Sequence, residues 1–209
     1  MEQYGNAGQS TLRPGLSSSK MRIFGGLMPD AAKNTDIPAP YESWEQLSED
    51  VERHIPRSAK VIIADIVMTW ARVDSTIAQL SGASFALDPT AAAIIFKRSS
   101  VSDKLEKVRQ LNLQLGRNDN AQAIRKLKKQ YDERSKVRNL IAHAHCAGVL
   151  KKKPLRLVFT PFEAHGGFGN LAIEIVPLLA LEESIDWGRQ LDRNIWKMLR
   201  EYQPPDGDC

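Results

Sequence analysis

From Tyr41 onward, apolar positions recur at three- and four-residue steps through most of the chain, the mark of amphipathic helices. Ser43 followed by the acid-rich stretch Trp44–Ile55 predicts a first helix, which Pro56 interrupts. Ser58 then caps a long helix over 59–82, where Ile62, Ile63, Ile66, Val67, Trp70, Val73, Ile77 and Leu80 recur and Gly82 terminates. The start of this helix is apolar around most of its girth, which predicts a central position. Pro89 suits the first turn of a shorter helix over 88–98. Leu105, Val108, Leu111 and Leu115 form the stripe of the next, which Gly116 stops. The longest helical pattern runs in one piece from a cap at Asn118 or Asp119 to Cys146.

The period then shortens. PLRLVFTPF (154–162) and GNLAIEIVPL (169–178) alternate as strands do, and together they predict a β-hairpin over about 154–177. A last amphipathic pattern, 183–202, carries Ile185, Trp187, Leu191, Ile195 and Leu199. Residues 1–40 are rich in Gly, Ser, Asn and Pro and read as a flexible arm; 204–209 read as a polar tail. The expected fold is mainly α: a bundle of four to five helices over 41–203, with the hairpin inserted before the C-terminal helix.

Composition narrows the function classes. At 209 residues and 42% hydrophobic content the chain suits one domain with a real core. A net charge of +4 tilts slightly toward a polyanionic partner. Cys146 and Cys209 make no CxxC pair, so neither a zinc ribbon nor a disulfide scaffold is indicated. No continuous apolar leader opens the chain, and the most apolar run, 61–71, contains Asp65 and is too short to span a bilayer. A soluble cytoplasmic protein with reduced thiols, without a membrane segment or cofactor, is expected.

The chemistry concentrates in RSKVRNLIAHAHC, 134–146. On a helical wheel Val137, Leu140, Ile141 and Ala144 share the side that faces a core, while Ser135, Asn139, Ala142, His143 and Cys146 share the other. Small and neutral polar groups there let another surface come close: a second subunit, a ligand or the hairpin. Arg138-Asn139-Leu140-Ile141-Ala142-His143 resembles the R-x4–6-H signature of the HEPN superfamily, with Asn directly after the Arg. The resemblance covers about Tyr131 to Cys146. It implies a compact helical bundle, elaborated here by the hairpin, and a metal-independent endoribonuclease of the kind found in toxin–antitoxin, phage-defence and RNA-processing systems. It also implies a homodimer whose two motifs share one cleft, and leaves room for a cognate antitoxin or regulator.

The residue types suit that reaction. Histidine gives or takes a proton near neutral pH, and arginine offers a planar fork of donors to phosphate. Asn139 and His143, four residues apart, are neighbours on one helical face. Arg138 lies about 140° from His143 on an ideal helix, so either the helix breaks near the motif or a second subunit completes the site. Arg138, Asn139 and His143 are thus the catalytic candidates, and RNA is the expected substrate. His145, on Arg138's flank, is either a second proton-transfer group or a helix-end histidine. Asp74 (and likewise Asp65) lies in the most apolar helix and pairs with a motif arginine, with Arg72 or with a backbone cap. Arg125, Lys128, Lys129, Arg134, Lys151 and Lys152 either track an RNA backbone or form a solvated face. His143 and His145 project about 160° apart on a helix and cannot grip one metal ion; on a strand they could. A non-catalytic helical module that binds a partner protein or nucleotide through the same face is the alternative function.

Overall fold

A computed structural model gives the fold and describes residues 44–151, 153–161 and 173–202. The N-terminal arm, Lys152, the hairpin's turn and the polar tail lie outside the described residues. The chain is mainly helical with a small antiparallel sheet: α1 (Trp44–Asp50), β1 (Val51–Glu52), α2 (Arg57–Ser84), α3 (Pro89–Phe96), α4 (Val101–Gln114), α5 (Asn118–Arg134), α6 (Lys136–His143), β2 (Ala144–Leu150), β3 (Lys153–Pro161), β4 (Glu174–Pro177) and α7 (Leu178–Tyr202).

The two longest helices, α2 and α7, pack along each other and organise the core. Trp70 is fully buried between them, and its indole N–H donates to Ser184 Oγ at 3.1 Å. Gly188 lets α7 come close, since a Cβ there would lie 2.6 Å from Thr69 Cγ2. Asp192 accepts from Thr76 at 2.7 Å and pairs with Arg72 Nε at 2.9 Å, so the buried carboxylate is matched. Asp88 caps α3 by accepting from the N–H groups of Thr90 and Ala91, and Ser100 with Asp103 forms a capping box on α4.

The predicted hairpin forms, with β3 and β4 antiparallel and Leu157 opposite Val176. It belongs to a larger sheet of order β1-β2-β3-β4. Alternation along the strands serves two clusters: Val149, Leu157, Phe159 and Val176 face the helices, whereas Val51, Leu150, Val158 and Ile173 pack with Leu47 of α1.

Several expectations are corrected. The first helix stops at Asp50 rather than continuing to Ile55, because Val51 and Glu52 pair with Leu150 and Val149. The long helix from 118 does not run unbroken to Cys146. It is interrupted at Ser135, which is buried rather than outward, and ends at His143, after which Ala144 turns extended (φ −107°, ψ 149°). Cross-strand pairing with β3 claims residues whose local pattern fits a helix equally well. The start of α2 is not buried all round: Val61, Val67 and Met68 are 52%, 48% and 71% exposed. No described helix is long and apolar enough to cross a membrane.

Candidate functional site

Three helices bring one side chain each to a common point. Asp74 comes from α2, Tyr131 from α5 and Arg138 from α6. Tyr131 lies on the buried stripe of α5 with Ala121, Ile124 and Leu127, and its ring meets Trp70 edge-on at 5.8 Å. A buried phenol needs an acceptor, and Tyr131 donates to Asp74 Oδ1 at 2.8 Å. The second oxygen of Asp74 receives Arg138 Nη2 in a short ion pair. Arg138 Nη1 in turn donates to Asn139 Oδ1 at 2.9 Å.

Both carboxylate oxygens of Asp74 are therefore used, and two of Arg138's donor nitrogens are aimed. The pair is not sealed: the side chains of Arg138 and Asp74 are 24% and 26% exposed, so water or a ligand reaches them. Tyr131 stays protonated. Burial pushes its hydroxyl above its ordinary value, and the negative charge of Asp74 and the hydrogen bond to it push the same way.

Asn139 and His143 are exposed, as the wheel predicts, and Leu140 points inward. The His143 side chain makes no hydrogen bond or ion pair with the described residues. Arg138 and His143 sit in one unbroken helix, so the break at Ser135 does not aim them at one point; the separation of about 140° stands within a single chain.

His145 is the second residue of β2, opposite Thr160, whose hydroxyl donates to the His145 carbonyl at 3.3 Å. The helical ground for separating the two histidines thus fails, since a helix–strand junction lies between them. Among the described residues no three His, Cys, Asp or Glu side chains converge as metal ligands would. Cys146 is half-buried against the core, and burial pushes its thiol up, away from a reactive thiolate.

The basic residues are largely engaged within the chain. Arg134 stacks on the Trp187 ring, 3.1 Å from its centre, and desolvation lowers its pKa. Lys128 bonds Asp132 at 2.8 Å, and Lys129 lies 3.8 Å from Glu133. These four line the groove between α4 and α5 with Glu106, Arg109 and Arg125, four cations against three carboxylates, so the groove is close to neutral. Lys151 Nζ donates to the Glu49 carbonyl at 2.5 Å and thereby helps to end α1. Arg125 is exposed.

Of the residues singled out from sequence, the fold joins Asp74, Arg138 and Asn139 directly and leaves His143 one turn further along α6. Tyr131 was missed. Its signal was a hydroxyl-bearing aromatic on an apolar stripe, which implies a buried acceptor on the neighbouring helix. Comparison with protein-family models, with curated proteins and with solved structures gives no significant match.

Proposed function

We propose that this chain is a metal-independent endoribonuclease of HEPN type, acting as a homodimer in which two copies of α6 face one RNA strand. The 2′-hydroxyl attacks the adjacent phosphorus and loses its proton to a base. The P–O5′ bond breaks, and O5′ takes a proton, leaving a 2′,3′-cyclic phosphate and a 5′-hydroxyl. Arg138 binds the scissile phosphate, His143 transfers protons, and Asn139 orients them. The observation that carries this reading is the arginine held by Asp74 yet open to solvent, beside an exposed asparagine and histidine. The separation of Arg138 from His143 on one helix is why a second copy is required. Such a nuclease suits a toxin or phage-defence effector held in check by a cognate regulator.

The test is cleavage of total cellular RNA by purified protein in EDTA, with end-group analysis. Wild type should cut and leave cyclic phosphates. His143→Ala and Arg138→Ala should each fall by about two orders of magnitude, the usual scale for a proton-transfer group. Arg138→Lys should fall nearly as far, because an ammonium cannot fork between Asp74 and a phosphate. Equal cutting by all proteins, or by none, sinks the reading.

A non-catalytic module is the second reading, favoured by one observation: Asp74 already matches the charge of Arg138. On that reading His143→Ala leaves the cellular effect intact, whereas Ala142→Trp, on the exposed face of α6, abolishes it.

A further inference from the structure

We propose that a second copy of this chain packs antiparallel along the outward face of α2, joined by reciprocal Asp65–Arg72 ion pairs. This names the surface for the homodimer proposed above, and rests on that reading only for the role of the paired motifs.

With Met68 taken as the centre of a helical wheel, Val61, Ala64, Asp65, Ala71, Arg72 and Ser75 fall within about 60° of it. All are exposed, and Met68 at the centre is 71% exposed. Ile66, Trp70, Val73 and Ile77 lie on the opposite, buried side. Val61 and Met68, with Ala64 and Ala71 beside them, give the solvent face of α2 an apolar centre that a second helix can cover. Ala64 and Ala71 on one edge leave room for another helix to approach.

Charge selects both the partner and the direction. Asp65 and Arg72 lie on the same edge of the face, about one turn before and one turn after the Met68–Thr69 peptide. A two-fold axis across the helix at that point inverts direction along α2 but keeps the edge. Asp65 of each copy then meets Arg72 of the other, an isologous contact. A parallel pairing leaves these charges on opposite edges. Arg72 pairs with Asp192 through Nε at 2.9 Å, yet its side chain is 71% exposed, so a partner carboxylate can reach the same guanidinium.

The same operation has a consequence for the candidate site. Asp74 and α6 border the other edge of the face, and the two-fold keeps both copies there. The two Asp74 positions are then separated along the seam by about 16 Å at 1.5 Å of rise per residue. Both motifs open onto one side of the dimer.

Light scattering on the full chain at micromolar concentration tests this without RNA. Wild type should have twice the 23.4 kDa chain mass. Met68→Glu should be monomeric, with the helical circular dichroism of wild type and a Tm that no longer rises with protein concentration. Asp65→Arg should weaken association at least tenfold. Asp65→Arg combined with Arg72→Asp should restore it; Met68→Glu carries the test should the double variant unfold through loss of the Asp192 contact. A monomeric wild type, or a dimer indifferent to Met68→Glu and Asp65→Arg, overturns the proposal. An inactive dimer broken by these variants keeps the interface and removes the nuclease reading; an active dimer that Met68→Glu and Asp65→Arg leave intact does the reverse.

Discussion

The hydroxyl of Tyr131 on α5 donates a 2.8 Å hydrogen bond to Oδ1 of Asp74 on α2. The two residues are 57 apart in sequence, and their bond matters because the other oxygen of the same carboxylate holds Arg138. A carboxylate with one partner can swing; one fixed on both sides presents its arginine in one orientation.

Replacing Tyr131 by Phe removes the bond but keeps the ring against Trp70. Asp74 is a quarter exposed, so water replaces the lost donor and the cost stays near 1 kcal/mol. Urea denaturation should report that loss with an unchanged m-value. Cleavage by the proposed nuclease should fall further than stability, because Arg138 loses its fixed aim.

The same tyrosine predicts a pH dependence. Its folded pKa is raised above the ordinary value of 10.0, first by burial and then by Asp74. A group that holds its proton more tightly when folded stabilises fully below its unfolded pKa and loses that contribution as pH rises through the folded value. Wild type should therefore lose stability above about pH 10 more steeply than Tyr131→Phe, as compared by denaturation at about pH 9 and about pH 11. Parallel slopes would count against the bond.

Arg134 and Arg125 should behave differently. Arg134→Ala removes the contact with Trp187, and a loss of about 0.5–2 kcal/mol is expected in thermal denaturation. Arg125→Ala, at an exposed position, should leave stability alone and reduce the salt slope of RNA binding by about one. Both slopes are read from fluorescence anisotropy titrations over a range of potassium chloride. A change of slope for Arg134→Ala comparable to that for Arg125→Ala would return Arg134 to the RNA-contacting set.

Gly148 holds the sheet's first edge together. Its φ is +145°, and a Cβ there would lie 2.1 Å from the Glu52 carbonyl oxygen. Gly148→Ala should separate β1 from β2 and cost about 2–3 kcal/mol, the scale of a backbone clash. Hydrogen exchange at the Lys151 amide, which bonds the Asp50 carbonyl, and at the Glu52 amide should accelerate while the α2 core stays protected.

Much of the helical frame was legible because its signals are local. Pro89 after Asp88, Ser100 with Asp103, and the apolar repeats of α2, α4 and α7 act within a few residues of one another. The motif was legible for the same reason: Arg138, Asn139 and His143 lie within two turns of one helix, and the exposure of Asn139 and His143 follows from the helical period. What failed was the helical reading of 144–146 and 51–52, and 147–150 was assigned to no element. Their residues fit a helix end as well as a strand, and the choice was made by β3, which pairs with β2 and leaves β1 as the far edge.

By itself the sequence determined a mainly helical chain with a hairpin, a buried face on each long helix, and a short polar motif on the penultimate helix. Only the tertiary structure decided that Asp74 serves Arg138 rather than Arg72, which Asp192 takes instead. It also decided that Tyr131 stands behind that pair, that Arg134 is spent on Trp187, and that α2 leaves a face centred on Met68 uncovered. The physical reason is range. Helical period and capping are written in neighbouring residues, whereas the partner of a charge or of an apolar face is whatever the packing of distant helices brings within a few ångströms.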